Sequence, residues 1–355
     1  MRVMPAGALR NLIVDGIISG VGGVIVFLPN ILILFFCISL MEDTGYMARA
    51  AFIMDKLMHK IGLHGKSFIP LLMGFGCNVP AIMATRTLES RKDRILTMLI
   101  IPFMSCSARL PVYVLLISAF FVQHKGLVLL SIYLLGIVVA ILSSILFKRL
   151  FFRKEEAPFV MELPPYRVPT GRSVVRHMWN KGAQYLRKMG TIILVASVIV
   201  WALSHYPVGD PSLTPVQRQE QSYIGRIGKA IEPVLRPLGF DWQIGVSLVS
   251  GLAAKEIVVS TMAVLTGSGD NEATLSEKLQ NQVYTQGDRA GEKVFTPLKA
   301  YTMMVFILLY FPCIAAITAI YKEAGRRWAI FTLLYTTGMA WIMSFIFYHI
   351  GSLLL

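Results

Sequence analysis

The sequence predicts an all-α polytopic membrane protein, and three observations carry that reading. Of the 355 residues, 55% are hydrophobic, and they gather into runs of about 20 residues, long enough to cross a ~30 Å hydrocarbon core. The net charge is +14, but the basic residues lie between the apolar runs, as topology signals do. They form no basic–aromatic recognition module, so nucleic acid is not an expected partner and the lipid bilayer is. Finally, several apolar runs are interrupted by Gly, Pro, Asn or charged residues, which suits backbone that is broken inside protein rather than facing lipid.

Taken in order, residues 1–20 are a weakly amphipathic lead-in. The first strong crossing runs from Val21 to Leu40 and closes on Glu42-Asp43. Residues 44–60 alternate apolar Tyr46, Met47, Ala50, Phe52, Ile53 and Leu57 with Arg49, Asp55, Lys56 and Lys60, which predicts an amphipathic helix along the interface. Residues 66–90 hold the main break, Gly74-Phe75-Gly76-Cys77-Asn78-Val79-Pro80. Glycine removes side-chain packing there and proline a backbone donor. Each half is about nine residues, or ~14 Å, so a re-entrant hairpin fits as well as a full crossing. Residues 95–121 form a second broken run through Pro102, Ser105, Cys106, Ser107 and Pro111. Residues 127–147 form a plain crossing. Residues 148–188 hold ten Lys/Arg and are expected as a basic cytoplasmic loop. Residues 190–204 cross again, 222–238 form a second amphipathic stretch, and 243–265 are apolar around Lys255-Glu256. Residues 267–296 are polar and Gly-rich, expected as a flexible external loop. Residues 298–320 cross around Pro312-Cys313, and 328–350 form the last crossing.

An internal repeat organises these elements. Adding 177 maps Tyr46 to Tyr223, Arg49 to Arg226, Asp55 to Glu232, Gly62 to Gly239 and Gly74 to Gly251. Later the offset is 207, taking Cys106 to Cys313 and Ala108 to Ala315; the difference of 30 is the length of 267–296. If 66–90 and 243–265 are hairpins, an odd number of crossings separates them and the second copy is inverted. Inverted repeats with discontinuous helices meeting near the midplane are a recurring transporter plan. The expected division is therefore 1–20, a first repeat and following crossing at 21–147, the basic loop at 148–189, and a second repeat with the last crossing at 190–355.

The residues that could carry chemistry lie at the breaks. Cys77, Cys106 and Cys313 sit at disturbed points inside membrane runs, and thiolates bind soft and borderline metals; Cys37, in an undisturbed run, reads as a small buried hydrophobe. Ser105 and Ser107 read either as oxygen ligands or as caps for backbone carbonyls. Lys255-Glu256 reads either as an intramembrane functional pair or as a local ion pair propping the break. Gly74, Gly76, Asn78 and Pro80 are pore or gating candidates for the same reason as the break itself. Glu42 and Asp43 read as a cation vestibule or a solvated helix end, and Arg109 is expected to pair with an acid or a carbonyl. Gly62 to Ser67 imitates a phosphate loop, but Lys60 stands where its first glycine belongs. No nucleotide site or catalytic residue is expected.

The same stretches resemble the bacterial ferrous iron transporter FeoB family. The resemblance is carried by Glu42 to Phe52, Gly65 to Pro70, the break through Thr87, and Phe103-Met104-Ser105-Cys106-Ser107-Ala108-Arg109-Leu110-Pro111-Val112-Tyr113, with weaker matches at Gly251 to Glu256 and Phe311-Pro312-Cys313. It implies two Gate repeats and Fe²⁺ uptake across the bacterial cytoplasmic (inner) membrane, with the cysteines at 77, 106 and 313 as pore or binding residues. Fe²⁺ is then the transported ion rather than a cofactor. Members begin with a cytoplasmic GTPase domain, which this sequence lacks, so GTP is expected to act only through a separate domain. That domain, small Feo-type accessory proteins and a second copy of the chain are the partners the resemblance implies. The alternatives are a nucleoside or other solute carrier with Gate-like repeats, or a non-transporting membrane partner.

Overall fold

The computed structural model describes residues 29, 32–33, 35–151, 166, 169–207, 215–266, 272–283 and 293–354. The lead-in 1–20 and most of the first crossing lie outside the described residues. Among those described, the chain is helical, with one isolated bridge between Val283 and Lys293.

The first repeat runs through α1 (Tyr46–Lys60), α2 (Phe68–Gly74), α3 (Asn78–Ala84), α4 (Arg91–Ile100), α5 (Leu110–Phe120) and α6 (Lys125–Phe151). Helix α7 (Gly171–His205) and the short α8 (Pro215–Gln221) connect it to the second. That repeat comprises α9 (Tyr223–Leu235), α10 (Trp242–Ser250), α11 (Ile257–Leu265), α13 (Pro297–Leu309), α14 (Ile314–Ala324) and α15 (Arg326–Leu354), with α12 (Glu272–Asn281) inserted before α13. The six matched helices fall in the order the offsets of 177 and 207 require. Helix starts are built by side-chain caps: Ser90 accepts from Asp93 N, Ser222 from Gly225 N, Asp241 from Ile244 N and Thr296 from Lys299 N.

Two glycines fix how each interface helix turns into its hairpin. Gly62 and Gly239, at equivalent positions, have φ of 87° and 76°, a left-handed conformation that glycine adopts without steric cost. A Cβ on Gly62 would stand 2.6 Å from the Lys148 side chain, and one on Gly239 2.6 Å from the Tyr348 ring. Each turn therefore lies against the last crossing of its own repeat.

The matched crossings run in opposite directions. The start of α4 meets the end of α14, where Arg94 donates to Glu323 at 2.7 Å. The start of α13 meets the end of α5, where Phe295 packs on Phe120 with ring centroids 6.2 Å apart. The packing between repeats follows the same two-fold logic: α3 lies against α14, and α11 against α5.

Burial separates the crossings into two kinds. In the broken crossings Arg91–Phe120 and Pro297–Ala324, 67% and 72% of the apolar window is buried, against 33% in Lys125–Leu150 and 22% in Arg326–Leu353. The broken helices are thus central and the unbroken ones peripheral. Leu127, Leu130, Leu134, Val138, Leu142, Leu146 and Leu150 stand exposed along one face of α6, at the helical spacing expected of a lipid-facing stripe. Its other face buries Ser143 and Ser144. Gly136 lets that face approach the first broken crossing, since a Cβ there would meet the Phe103 carbonyl at 2.7 Å.

Two expectations are corrected. The basic loop at 148–188 is shorter than expected: α6 continues to Phe151, and Gly171–His205 is one 35-residue helix that carries the basic segment into the crossing at 190–204. Its residues up to 188 lack proline, so nothing stops the helix from extending below the apolar run. The insert 267–296 is not wholly a flexible loop either. Its α12 buries Leu275 and Leu279, Gln280 donates to the Ala119 carbonyl, and Gln282 bonds Gln243 at 2.7 Å. The spacing of those two leucines supplies one apolar helical face, which the insert's polar composition masked.

Candidate metal path

The first hairpin breaks over Phe75–Cys77, narrower than the sequence suggested. Pro80 lies inside α3, at its third residue, where a backbone N–H would lack an intrahelical partner anyway. Cys77 is extended, with φ −152°. The break frees the Gly76 carbonyl, which accepts Ser107 N at 3.1 Å and Ser107 Oγ at 3.0 Å. Ser107 thereby takes the capping role. Gly74 allows the close packing beside it, because a Cβ there would lie 3.0 Å from Met104 Cβ.

The second repeat repeats the clamp with different chemistry. Across its hairpin break, the Leu252 carbonyl accepts Ile314 N at 3.1 Å. In both repeats, then, the residue after the crossing cysteine donates its backbone N–H to the hairpin break. Position 314 is apolar, so the second clamp has no hydroxyl.

The freed carbonyls of the two broken crossings are met by cations. Arg109 is fully buried and donates twice to the Pro102 carbonyl at 3.1 Å and once to the Met104 carbonyl at 3.2 Å. Of the two expected partners, an acid or a carbonyl, it takes carbonyls. The equivalent position in the second repeat is Ala316. There Lys255 reaches over from the hairpin break and donates to the Phe311 carbonyl at 2.8 Å, with its Nζ 3.1 Å from the Tyr310 ring centroid. Lys255 is 2% exposed. Of the two readings of Lys255-Glu256, the local ion pair is not where the Lys255 hydrogen bond goes.

Around these breaks Cys77, Cys106 and Cys313 are half-buried and near enough to interact electrostatically. Cys37 is exposed on the outer surface instead of buried. Among the described residues no three His, Cys, Asp or Glu side chains converge as a metal-holding cluster. Asn78, at the position equivalent to Lys255, is 4% exposed and its Oδ1 has no hydrogen-bond partner. Ser105 Oγ is buried with no partner inside ordinary hydrogen-bond limits, near the Tyr113 and Tyr133 hydroxyls. Glu42 and Asp43 lie apart from this centre, in the helix before α1, where Asp43 accepts from Ser173 at 3.4 Å. The phosphate-loop look-alike is a capped turn: His64 Nδ1 accepts from Lys66 N at 3.2 Å. Burial holds His64 below the ordinary histidine value, which suits that neutral acceptor.

Sequence reading missed Tyr310 and the Arg86–Glu323–Arg94 cluster. Arg86 bonds both nitrogens to Glu323 Oε1, joining the first hairpin to the end of α14. Arg86 and Arg94 read as an aqueous edge, and no offset relates them to Glu323. Tyr310 stands beside the Phe311-Pro312-Cys313 motif, and that adjacency was the available signal.

A family model described as "Gate: Nucleoside recognition" matches residues 24–120 and 186–327, one block over each repeat. The chain belongs to the Gate family. A second model, "Ferrous iron transport protein B C terminus", matches residues 129–181, from the last crossing of the first Gate repeat into α7. The Gate chain is 56% identical, over 99% of its own length and 45% of the relative's, to a Porphyromonas gingivalis protein named Fe(2+) transport protein A/Fe(2+) transporter FeoB fusion protein. It is 47% identical to a Staphylococcus aureus Fe(2+) transporter FeoB, over 97% of this chain and 50% of that one. It is 46% identical to the Campylobacter jejuni Fe(2+) transporter FeoB, over 98% and 56%. The chain thus corresponds to the membrane part of the FeoB proteins and spans about half the length of the curated relatives it matches. No solved structure matches it.

Proposed function

We propose that this Gate chain forms the membrane path of a ferrous iron uptake system in the bacterial cytoplasmic membrane. The observation that carries the proposal is the placement of three half-buried cysteines, Cys77, Cys106 and Cys313, at the breaks of two pairs of broken helices clamped together by backbone hydrogen bonds. The names of the relatives agree with it. Fe²⁺ is a borderline ion, suited to a mixed thiol and oxygen lining. Cys77, Cys106 and Cys313 supply sulfur, Asn78 Oδ1 supplies an oxygen that the fold leaves unpartnered, and Ser105 Oγ supplies a second oxygen beside the Tyr113 and Tyr133 hydroxyls. Flux requires that the ion bind weakly enough to leave again, because an ion bound at a closed high-affinity site leaves too slowly.

Gly76 and Ser107 build the clamp on the first side, and Gly74 sets its closeness. Lys255 and Glu256 stand at the matching break, where the repeats are unlike. Basic segments at 89–94 and 322–327 mark the cytoplasmic face, and Glu323 there ties the two repeats together. A GTPase domain and a small Feo-type protein are the partners this reading requires; the fusion named in one relative supports the second.

The test is Fe²⁺ uptake into proteoliposomes, with and without a GTPase domain supplied separately. Replacing Cys77, Cys106 and Cys313 together by Ser is expected to cut uptake at least about tenfold, since the lining then keeps only hard oxygens and loses the soft sulfur that selects a borderline ion. Unchanged uptake sinks the thiol path, and inhibition by nucleosides sinks the choice of iron as cargo.

A further inference from the structure

The centre of a cation path is a poor place for a second fixed cation, yet two are buried there. The two differ in how they are held. Arg109 is pinned by three hydrogen bonds to carbonyls seven and five residues away in its own segment, so its planar fork is part of the backbone's scaffolding. Lys255 is held at the end of a flexible four-carbon stem by one hydrogen bond, across 56 residues, to the Phe311 carbonyl. Its ammonium also faces two rings, Tyr310 at 3.1 Å and Phe311 at 5.0 Å. A backbone carbonyl freed by a helix break and the face of an aromatic ring both attract a positive charge. Phe311 and Tyr310 lie two and three residues before Cys313, one of the three cysteines.

We propose that the Lys255 ammonium is a tethered stand-in for the transported cation. It occupies the carbonyl–aromatic position of the second broken crossing and must leave when a divalent metal ion takes that position. The inference rests on the cation-transport reading above and adds the residue that competes with the cargo. The sequence shows the same asymmetry: the first repeat carries Asn78, a neutral side chain with a free acceptor oxygen, at the position where the second carries Lys255. One repeat therefore offers a ligand where the other offers a competitor. With Lys255 in place the path is occupied from within, and an arriving ion displaces an equal kind of interaction instead of entering an empty charged cage. The apparent metal affinity is lowered by the fraction of time the ammonium holds the position.

Two experiments test this on the protein in detergent and in proteoliposomes. The first uses wild type: reductive methylation of lysines, read by mass spectrometry, with and without saturating Mn²⁺ or Fe²⁺. Lys255 is expected to be protected without metal and to become modified several-fold faster with it; an unchanged rate overturns the proposal. The second compares Lys255→Met and Lys255→Arg in Fe²⁺ uptake. Lys255→Met is expected to lower the apparent KM about tenfold and weaken discrimination against Zn²⁺ and Mn²⁺, with Lys255→Arg close to wild type. Lys255 acting only as a prop for the Phe311 carbonyl would instead lower the Tm of Lys255→Met while KM and discrimination stay put, and that result also overturns the proposal. If wild type takes up no Fe²⁺, the cargo reading fails. If wild type transports but Lys255 neither gains reactivity nor alters KM, only the stand-in cation fails.

Discussion

Arg109 shows how much a single side chain settles. Pro102 and the extended residues after it leave carbonyls without helical partners inside the buried core, and an unmet buried polar group costs about 1–3 kcal/mol. One guanidinium meets two such carbonyls. Arg109→Met is expected to destabilise the protein by about 2–5 kcal/mol, read as a fall in thermal or denaturant stability in detergent. Arg109→Lys should recover only part of this, because an ammonium lacks the planar fork. Ser107 is legible in part from the sequence, since a hydroxyl near a glycine break has a carbonyl to cap. Its acceptor, Gly76, lies 31 residues away and could not be read from spacing. Lys255 was legible as a charge inside an apolar run, but its natural reading was a pair with its neighbour. In the fold, packing brings the Phe311 carbonyl and the Tyr310 ring to the Lys255 side chain, and its hydrogen bond goes to that carbonyl.

At the scale of elements, the breaks divide what would be uniform crossings into short limbs. Helices α2 and α3 are seven residues each, about 10 Å at 1.5 Å per residue, too short to span a bilayer alone and stable only because they pack on the broken crossings. Their entry angle is set by the left-handed turns at Gly62 and Gly239. Gly62→Ala and Gly239→Ala are each expected to cost at least about 1–3 kcal/mol, and more where the new methyl meets Lys148 or Tyr348; denaturant titration of each variant checks this. Gly62→Ala should be the milder, since the far end of a lysine moves more easily than a tyrosine ring. The offset of 177 located this pair in the sequence, because both copies need the same backbone conformation. The insert helix α12 escaped the sequence reading because its fold depends on a surface, the end of α5, that it could not reveal alone.

For the whole molecule, the arrangement expected is two inverted repeats whose breaks meet inside, with the unbroken helices outside. Topology is tested by single cysteines in a background without Cys37. His64→Cys and Arg91→Cys are expected to react with a membrane-impermeant maleimide from the cytoplasmic side, and Arg236→Cys and Glu277→Cys only from the opposite side. Labelling of His64→Cys and Arg91→Cys from opposite sides would show that 66–90 crosses the membrane fully. By itself the sequence determined the class, the apolar runs, the repeat and the residues at each break, because those depend on composition and local spacing. Hydrophobic length is a property of a run, and the cost of Gly or Pro inside a helix is a property of its neighbours. Only the tertiary structure decided which freed carbonyl each donor meets, Ser107 on Gly76, Ile314 on Leu252 and Lys255 on Phe311, and that the Glu323 carboxylate accepts from both Arg86 and Arg94. The physical reason is that a broken helix obliges its polar groups to find partners but does not say where, and in this protein the partners come from segments as far as 237 residues away.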